Sequence, residues 1–541
     1  MILTSQILAA AAVLTFPKAP FNMPALRMHD FPLNKFCITD YGARTGVAFK
    51  VTRSIERAIF ACSEAGGGRV IIPPGWYLTG AIHLKSGVEL HLEPGAVLEF
   101  TDEPKDYLPA VRVSWEGVEC LGYSPLIYAY GCTNIAITGS GMLRARTALW
   151  TRWAEELKPS SRELGRKMEE WGRDGVPVED RNLTAYPNGG KRPHGIEFNR
   201  CQNIRLEGFK VREMPFWTIH LFHSADILCR GLDIVNHIAN SDGIDIDSTK
   251  NVLIENCMLD QGDDGFVMKS GRDHDGRRLA CPTENVIIRN CKIRFAHVLL
   301  GCGSELSGGI RNVFLHDCEL TDCYRGFYVK TNPNRGGFVE NVWFKNVHAR
   351  SCAQLVAIRC TYGMRTDGDV HLTKISGIHV EDVCCQTADV GIQLLGDARL
   401  PARDVSLKNV HVGAVSTALK KIENVEGLHE ENVTLGDGIA RMSDNPESRR
   451  IIFWGDAVHE DLPARERQKV DRGVYVFDYS RGVGSWEEAA AALRPRDCLY
   501  VKVTKAAAAD QLLRSARDCA VWVLDDIKQV PRDFYREEFR K

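Results

Sequence analysis

TKNVLIENC (249–257), TENVIIRNC (283–291) and IRNVFLHDC (310–318) are three versions of one phrase. A polar residue and an Asn precede alternating apolar residues, and an Asn or Asp and a Cys close it. The alternation of Val, Ile and Leu argues for short strands. Related phrases lie on both sides: CTNIAITG (132–139), CQNIRLEG (201–208), SADILCRG (224–231), VENVWFKNV (339–347), ISGIHVEDV (375–383) and ARDVSLKNV (402–410). The anchors Ile204, Ile227, Val252, Val286, Val313, Val342, Ile378 and Val405 follow one another at 23, 25, 34, 27, 29, 36 and 27 residues. Such periods belong to a solenoid, in which each short strand buries its apolar side only by stacking on the next turn. The expected fold is all-β, a right-handed single-stranded parallel β-helix, with loops inserted where the interval lengthens. Cys257, Cys291 and Cys318 recur at one position, which predicts a ladder of small buried thiols rather than disulfides.

Outside the repeat, composition sets limits. Among 541 residues, 68 Lys+Arg nearly balance 70 Asp+Glu. A net charge of −2 gives the whole chain no pull toward nucleic acid or an anionic membrane. No apolar run is long enough for a membrane span. ILAAAAVLTF (7–16) has the length of a signal-peptide apolar region but lacks a preceding basic residue. Residues 1–30 are therefore an N-terminal segment that places the protein outside the cytoplasm if cleaved and inside it otherwise. Residues 31–440 form the solenoid domain, with a helix over 51–66 capping its open end, a Trp-containing insertion at 145–195 and a charged loop at 271–282. From 441 to 541, strand-like and helix-like stretches alternate, as in a small α/β appendage. No C-x-x-C and His spacing suggests zinc, so neither metal nor other cofactor is expected, and a monomer is.

NSDGIDIDS (240–248) raises a chemical question, because it carries three carboxylates in a strand-like stretch. Asp242 lies 21 and 22 residues before Asp263 and Asp264 in QGDDGFVMKSG, about one turn away. Neighbouring strands lie about 4.8 Å apart, so one turn gathers all three. His297 and Lys330 follow at intervals of 33 residues from Asp264 and from each other, which requires loops to keep register. Glycoside hydrolysis needs one carboxylic acid to protonate the leaving oxygen and one carboxylate to activate water or to attack. Crowded carboxylates raise one another's pKa and so supply the acid. Asp245 and Asp247 alternate with Ile244 and Ile246 and are expected to face outward as solvated residues.

These segments resemble glycoside hydrolase family 28, the polygalacturonases and their relatives, whose fold is the pectin-lyase-like solenoid. NSDGIDI resembles the family's Asn-Thr-Asp motif, GDDG its paired aspartates, AHV the His of Gly-His-Gly, and YVK the Lys of Arg-Ile-Lys. ITDYGA (38–43), residues 67–100, MPFWTIHL (214–221) and GSELSGGIRNV (303–313) are similar to the bacterial, often exo-acting, branch. The resemblance implies Asp263 as general acid, Asp242 and Asp264 activating water with inversion, and His297 supporting the acid's charge state. It also implies that Lys330 binds a substrate carboxylate, that Tyr362 lies near the sugar, and that Asn240 orients the Asp242 loop.

The departures bear on substrate. Tyr328 stands where the motif has Arg and shares a strand face with Lys330, so a bidentate carboxylate clamp is missing. Arg325 is placed to reach the same carboxylate. The leading expectation is an inverting, exo-acting hydrolase of galacturonic-acid-containing pectic poly- or oligosaccharides. A hydrolase of rhamnogalacturonan or another decorated pectin is the alternative among hydrolases. A calcium-dependent lyase and a non-catalytic carbohydrate-binding β-helix are the remaining ones.

Overall fold

The computed structural model describes residues 13–16, 18–363 and 369–436, together with the backbone of three later strands. Parallel strands stack turn upon turn in the register the anchors predict. Ile135 pairs with Ile204, Ile204 with Ile227, Ile227 with Val252, Val252 with Val286, and Val286 with Val313. Val342, Ile378, Val405 and Leu428 continue the row. All of these anchors but the partly exposed Leu428 are fully buried, forming the apolar column inside the coil. The chain is a parallel β-helix.

The Asn of each phrase has a backbone task. Asn251, Asn285 and Asn312 adopt left-handed φ values of 59°, 59° and 56° at the corner that opens the strand. Asn tolerates this region better than other residues with a Cβ. Their amides also form a ladder: Asn285 Nδ2 donates to Asn251 Oδ1 at 3.1 Å, and Asn312 Nδ2 to Asn285 Oδ1 at 3.0 Å. The cysteines form a second ladder. Lys292 N donates to the Cys257 carbonyl and Glu319 N to the Cys291 carbonyl, so Cys257, Cys291 and Cys318 occupy successive rungs. All 16 cysteines of the described residues are free thiols. Two ladders on one coil oppose a slip of one residue, which would turn every inward side chain outward.

Helix α1 (Thr52–Glu64) buries Ile55, Ala58, Ile59 and Cys62 over the first turns, as a cap should. The long insertion folds into α2 (Ala148–Glu156) and α3 (Lys158–Arg173). Residues 271–282, expected as a charged loop, contain a short helix, α4 (Asp273–Leu279). Its carboxylate Asp275 is buried, accepting from Glu119 N at 2.9 Å and Arg181 Nη1 at 2.8 Å, which holds the segment in place. Leu164 and Met168 of α3 pack with an antiparallel hairpin, Val111–Trp115 and Val118–Gly122, and with Phe216 and Trp217. Helices and hairpin together wall one side of the sheet.

At the N-terminus, Val13–Leu14 pairs antiparallel with Leu26–Arg27. Met23, Leu26 and Met28 bury against Leu228, Leu253, Ile287 and Phe314, an outward-facing row from four successive turns. Full burial of a side chain such as Leu26 contributes about 1.5–3 kcal/mol. Residues 1–12, most of the apolar stretch considered as a signal, lie outside the described residues. In the C-terminal unit, Val474–Asp478, Cys498–Lys502 and Ala520–Leu524 form a parallel three-stranded sheet. The helices expected between them lie outside the described residues.

The Asn ladder is testable. Asn285→Ala removes two side-chain hydrogen bonds and puts a methyl-bearing residue in the left-handed region, for a loss of about 2 kcal/mol. Asn285→Gly restores the backbone part and should lose less than Asn285→Ala. Urea unfolding of the two variants checks the order.

Candidate active site

The acidic loops are placed by backbone register. Ile244 pairs with Phe266, and Gly243 N donates to the Asp264 carbonyl at 2.8 Å, setting Asp242 beside Asp264 on adjacent turns. His297 N donates to the Asp263 carbonyl at 2.8 Å, bringing the next turn alongside. Glycine makes the approach possible: a Cβ at Gly265 would lie 2.6 Å from Ile293 Cδ1 and 3.1 Å from the Val298 carbonyl oxygen. Ser241 staples the two loops, since its Oγ donates to the Asn236 carbonyl at 2.8 Å and accepts from Gly262 N at 3.0 Å.

Asp242, Asp263, Asp264 and His297 thus converge, as expected. Asp242 and Asp264 are recessed, whereas the side chains of Asp263 and His297 are 21% and 37% exposed. Asp263 Oδ1 lies 3.0 Å from His297 Nδ1 and 3.0 Å from Asp264 N. Lys330 Nζ donates to Asp264 Oδ2. Lys269, which the sequence reading passed over, is buried at 3.2 Å from Glu305, 3.6 Å from Asp245 and 3.7 Å from Asp242. Five carboxylates therefore crowd around Lys269, Lys330, His297 and Arg335.

Their protonation is uneven. Burial, and then the charges of Asp245 and Asp263, push Asp242 well above the ordinary carboxylate range. Burial acts on Asp263 in the same direction, but the His297 hydrogen bond and charge outweigh it and hold Asp263 low. His297 is raised in turn: burial lowers it, and Asp263 more than compensates. These shifts favour a proton on Asp242 and on His297 over one on Asp263.

Asp245 and Asp247 depart from expectation. They point away from the coil's interior, yet both are fully buried rather than solvated. Burial raises Asp245 to about 7, against the pull of Lys269. Asp247 accepts from Gly271 N at 3.0 Å and lies 3.4 Å from His220 Nε2. His220 also lies 3.5 Å from Glu197, whose carboxylate is 2.9 Å from His194 Nδ1. Despite burial, Asp247 and Glu197 raise His220 to about 9. His194, Glu197 and His220 could together ligate a cation, as could Asp263, Asp264 and His297. A cation in the second group would have to displace the Lys330 ammonium from Asp264 and break the Asp263–His297 hydrogen bond.

On the far side, Tyr328 is buried against Val298 and Ala357, and its hydroxyl has no hydrogen-bond partner. The Arg325 guanidinium stacks over the Tyr328 ring at 4.4 Å, and Arg325 Nε donates to Gln354 Oε1 at 2.7 Å. Tyr362 is 38% exposed, meets Tyr328 edge-on at 6.2 Å, and lies under the Lys330 ammonium at 5.5 Å. Asn240 Oδ1 accepts from Arg192 Nη2 at 2.9 Å, which fixes the loop before Asp242. Trp217, His220 and Glu305, also missed, belong to MPFWTIHL and GSELSGGIRNV, segments already conspicuous in the sequence.

Comparison with known proteins agrees. Residues 174–434 match the model of glycosyl hydrolases family 28. The solved structure of a hyperthermoactive exopolygalacturonase from Thermotoga maritima is 33% identical, covers 76% of this chain and 94% of its own, and superposes with a TM-score of 0.72. The chain belongs to glycosyl hydrolase family 28. A probable polygalacturonase of Vitis vinifera is 26% identical over 400 residues, 70% of this chain and 74% of that protein. An exo-poly-alpha-D-galacturonosidase of Dickeya chrysanthemi is 25% identical over 351 residues, 60% of this chain and 57% of that protein. This family 28 chain is a glycoside hydrolase.

The buried His220 makes a prediction about pH. Its folded pKa of about 9 exceeds the ordinary 6.5, so its contribution to stability is complete below pH 6.5 and is lost as pH rises toward 9. The melting temperature should fall over that window. His220→Gln, although less stable throughout, should lose that part of the slope; an unchanged slope would show that His220 is not the cation.

Proposed function

We propose that this family 28 hydrolase cleaves galacturonic-acid-containing pectic chains from one end with inversion of the anomeric carbon. The supporting observation is the division of the carboxylates between a partly exposed Asp263–His297 pair and the recessed Asp242 and Asp264. Asp263 with His297 holds one proton as a pair. It resides on Nδ1 while water reaches the site. Substrate binding dries the pair, and separated charges become costly in a drier medium. The proton then passes to Asp263, which delivers it to the leaving oxygen.

Asp264, held by Lys330, and Asp242, beside Lys269, lie too deep to bond to the sugar carbon themselves. What they can present is a water molecule. Direct attack by that water gives inversion, whereas a carboxylate bonding to the sugar carbon would give retention. On substrate entry Asp242 gives its proton to solvent, a release favoured by Lys269 once the Asp263 charge is neutralised, and with Asp264 it then takes the proton of the attacking water. The pectic substrate rests on the named relatives, and exo action on the helical wall over one side of the site. The neutral Tyr328, standing where the motif has Arg, leaves the Lys330 side one cation short, which favours a branched or esterified pectic oligosaccharide as a second reading.

Asp263→Asn should fold normally and lose at least three orders of magnitude in kcat on oligogalacturonates. Products from wild type should be mono- or disaccharides from the first time point; a rapid fall in viscosity with a ladder of long products would rule out exo action. His297→Asn should move the basic limb of kcat/KM to lower pH, because Asp263 alone holds its proton less well than the pair does.

A further inference from the structure

Lys191 is a buried cation for which the fold provides no anion. It is 6% exposed, and among the described residues its ammonium makes no hydrogen bond or ion pair. Its nearest neighbour is the Trp115 ring, with the centroid 3.7 Å away. A ring face attracts a cation but accepts none of the ammonium's three protons in a directed bond. The two carboxylates around it are already engaged: Arg272 pairs with Glu116 at 3.2 Å and also with Glu169 of α3. The adjacent Arg192 donates to carbonyl and amide oxygens only, and its Nε has no partner. Lys191 itself, beside Arg192 and Arg272, is left without an anion of its own. A buried, uncompensated cation is costly unless an anion joins it.

Its location gives this cation a use. Arg192 holds Asn240, two residues before Asp242, and the charge of Asp263 reaches Arg192. Lys191 precedes the strand Ile196–Asn199, two turns before Ile244–Asp247. Lys330 lies on a turn after the aspartates, so the two lysines flank the acidic centre on opposite sides along the coil. On the Lys191 side α3 closes the path: Gly165 faces Nζ, and a Cβ there would lie 3.6 Å from it. A sugar chain entering the site would end at this wall.

We propose that Lys191, with Arg192 beside it, forms the subsite that binds the carboxylate of the terminal uronate. The inference rests on the proposed cleavage of galacturonate chains and deepens it. Lys191 would act as a specificity-determining residue, admitting a free terminal carboxylate and rejecting a neutral or esterified end. Burial lowers the Lys191 ammonium to about 8, against Glu116 and with Arg272. The titratable groups acting on it are Glu116 of the hairpin, Arg272 before α4, Arg192, and Cys120, whose thiol is kept neutral by burial. Deprotonation above pH 8 would remove the attraction for the carboxylate.

The test uses the full-length protein. Lys191→Met should raise KM for trigalacturonate about 10- to 100-fold, the range for losing a charge-assisted hydrogen bond, with kcat within about threefold. Lys191→Arg should recover most of it. Calorimetric titration with galacturonate should show binding at least tenfold weaker in Lys191→Met. In wild type, galacturonate binding should weaken about tenfold between pH 7 and 9. Unchanged KM and galacturonate affinity in Lys191→Met, or affinity flat from pH 7 to 9 in wild type, would overturn the assignment. If wild type binds galacturonate through Lys191 but does not cleave trigalacturonate, the hydrolytic reading fails and the subsite stands. If wild type cleaves and Lys191→Met is indistinguishable from it, the subsite fails and the hydrolytic reading stands.

Discussion

Everything in the site depends on register between parallel turns. A carboxylate at residue 242 meets one at 264 only because Ile244 pairs with Phe266 and not with its neighbour. That choice is made away from the site, by Asn side chains bonded rung to rung, by stacked thiols and by the inward row of Ile and Val. Sheet hydrogen bonding alone does not distinguish registers; these side chains do. The chemistry therefore inherits its precision from the least reactive part of the chain.

Having gathered the acids, the fold must tolerate them. Asp242, Asp245, Asp263, Asp264 and Glu305 crowd around Lys269, Lys330, His297 and Arg335, and burial makes each unpaired charge costly. The site resolves this by shifting its acids apart: burial and like charge push Asp242 up, while His297 holds Asp263 low. Behind them, His220 between Glu197 and Asp247 carries a compensating positive charge. A closed set of charges is neutral enough to be stable and uneven enough to move one proton when substrate enters. The cation at Lys191 stands outside this balance.

The solenoid was readable because its period is local and repeated: the anchors read from the sequence are the residues that pair. Asp242, Asp263, Asp264 and His297 were readable for the same reason, since a known period converts sequence distance into spatial neighbours. What escaped reading came from insertions. Asp245 and Asp247 looked solvated because alternation says only which side of the strand they face. It cannot show that this side is covered and both carboxylates buried. Lys269 alternates in the same way, and its importance appears only when Glu305 approaches from another turn. Lys330, read as a ligand for substrate, is also paired with Asp264, a contact that sequence spacing does not show. The helix at 273–279 was hidden by a charged sequence whose Asp275 is satisfied by a distant backbone amide and Arg181.

The account stands on two recessed carboxylates presenting water opposite an exposed acid. Proton NMR of the first turnovers on an oligogalacturonate reads the anomer released before mutarotation. The account predicts the anomer opposite to that of the linkage cleaved. Initial release of the same anomer would mean that a carboxylate bonds directly to the sugar, and would contradict it.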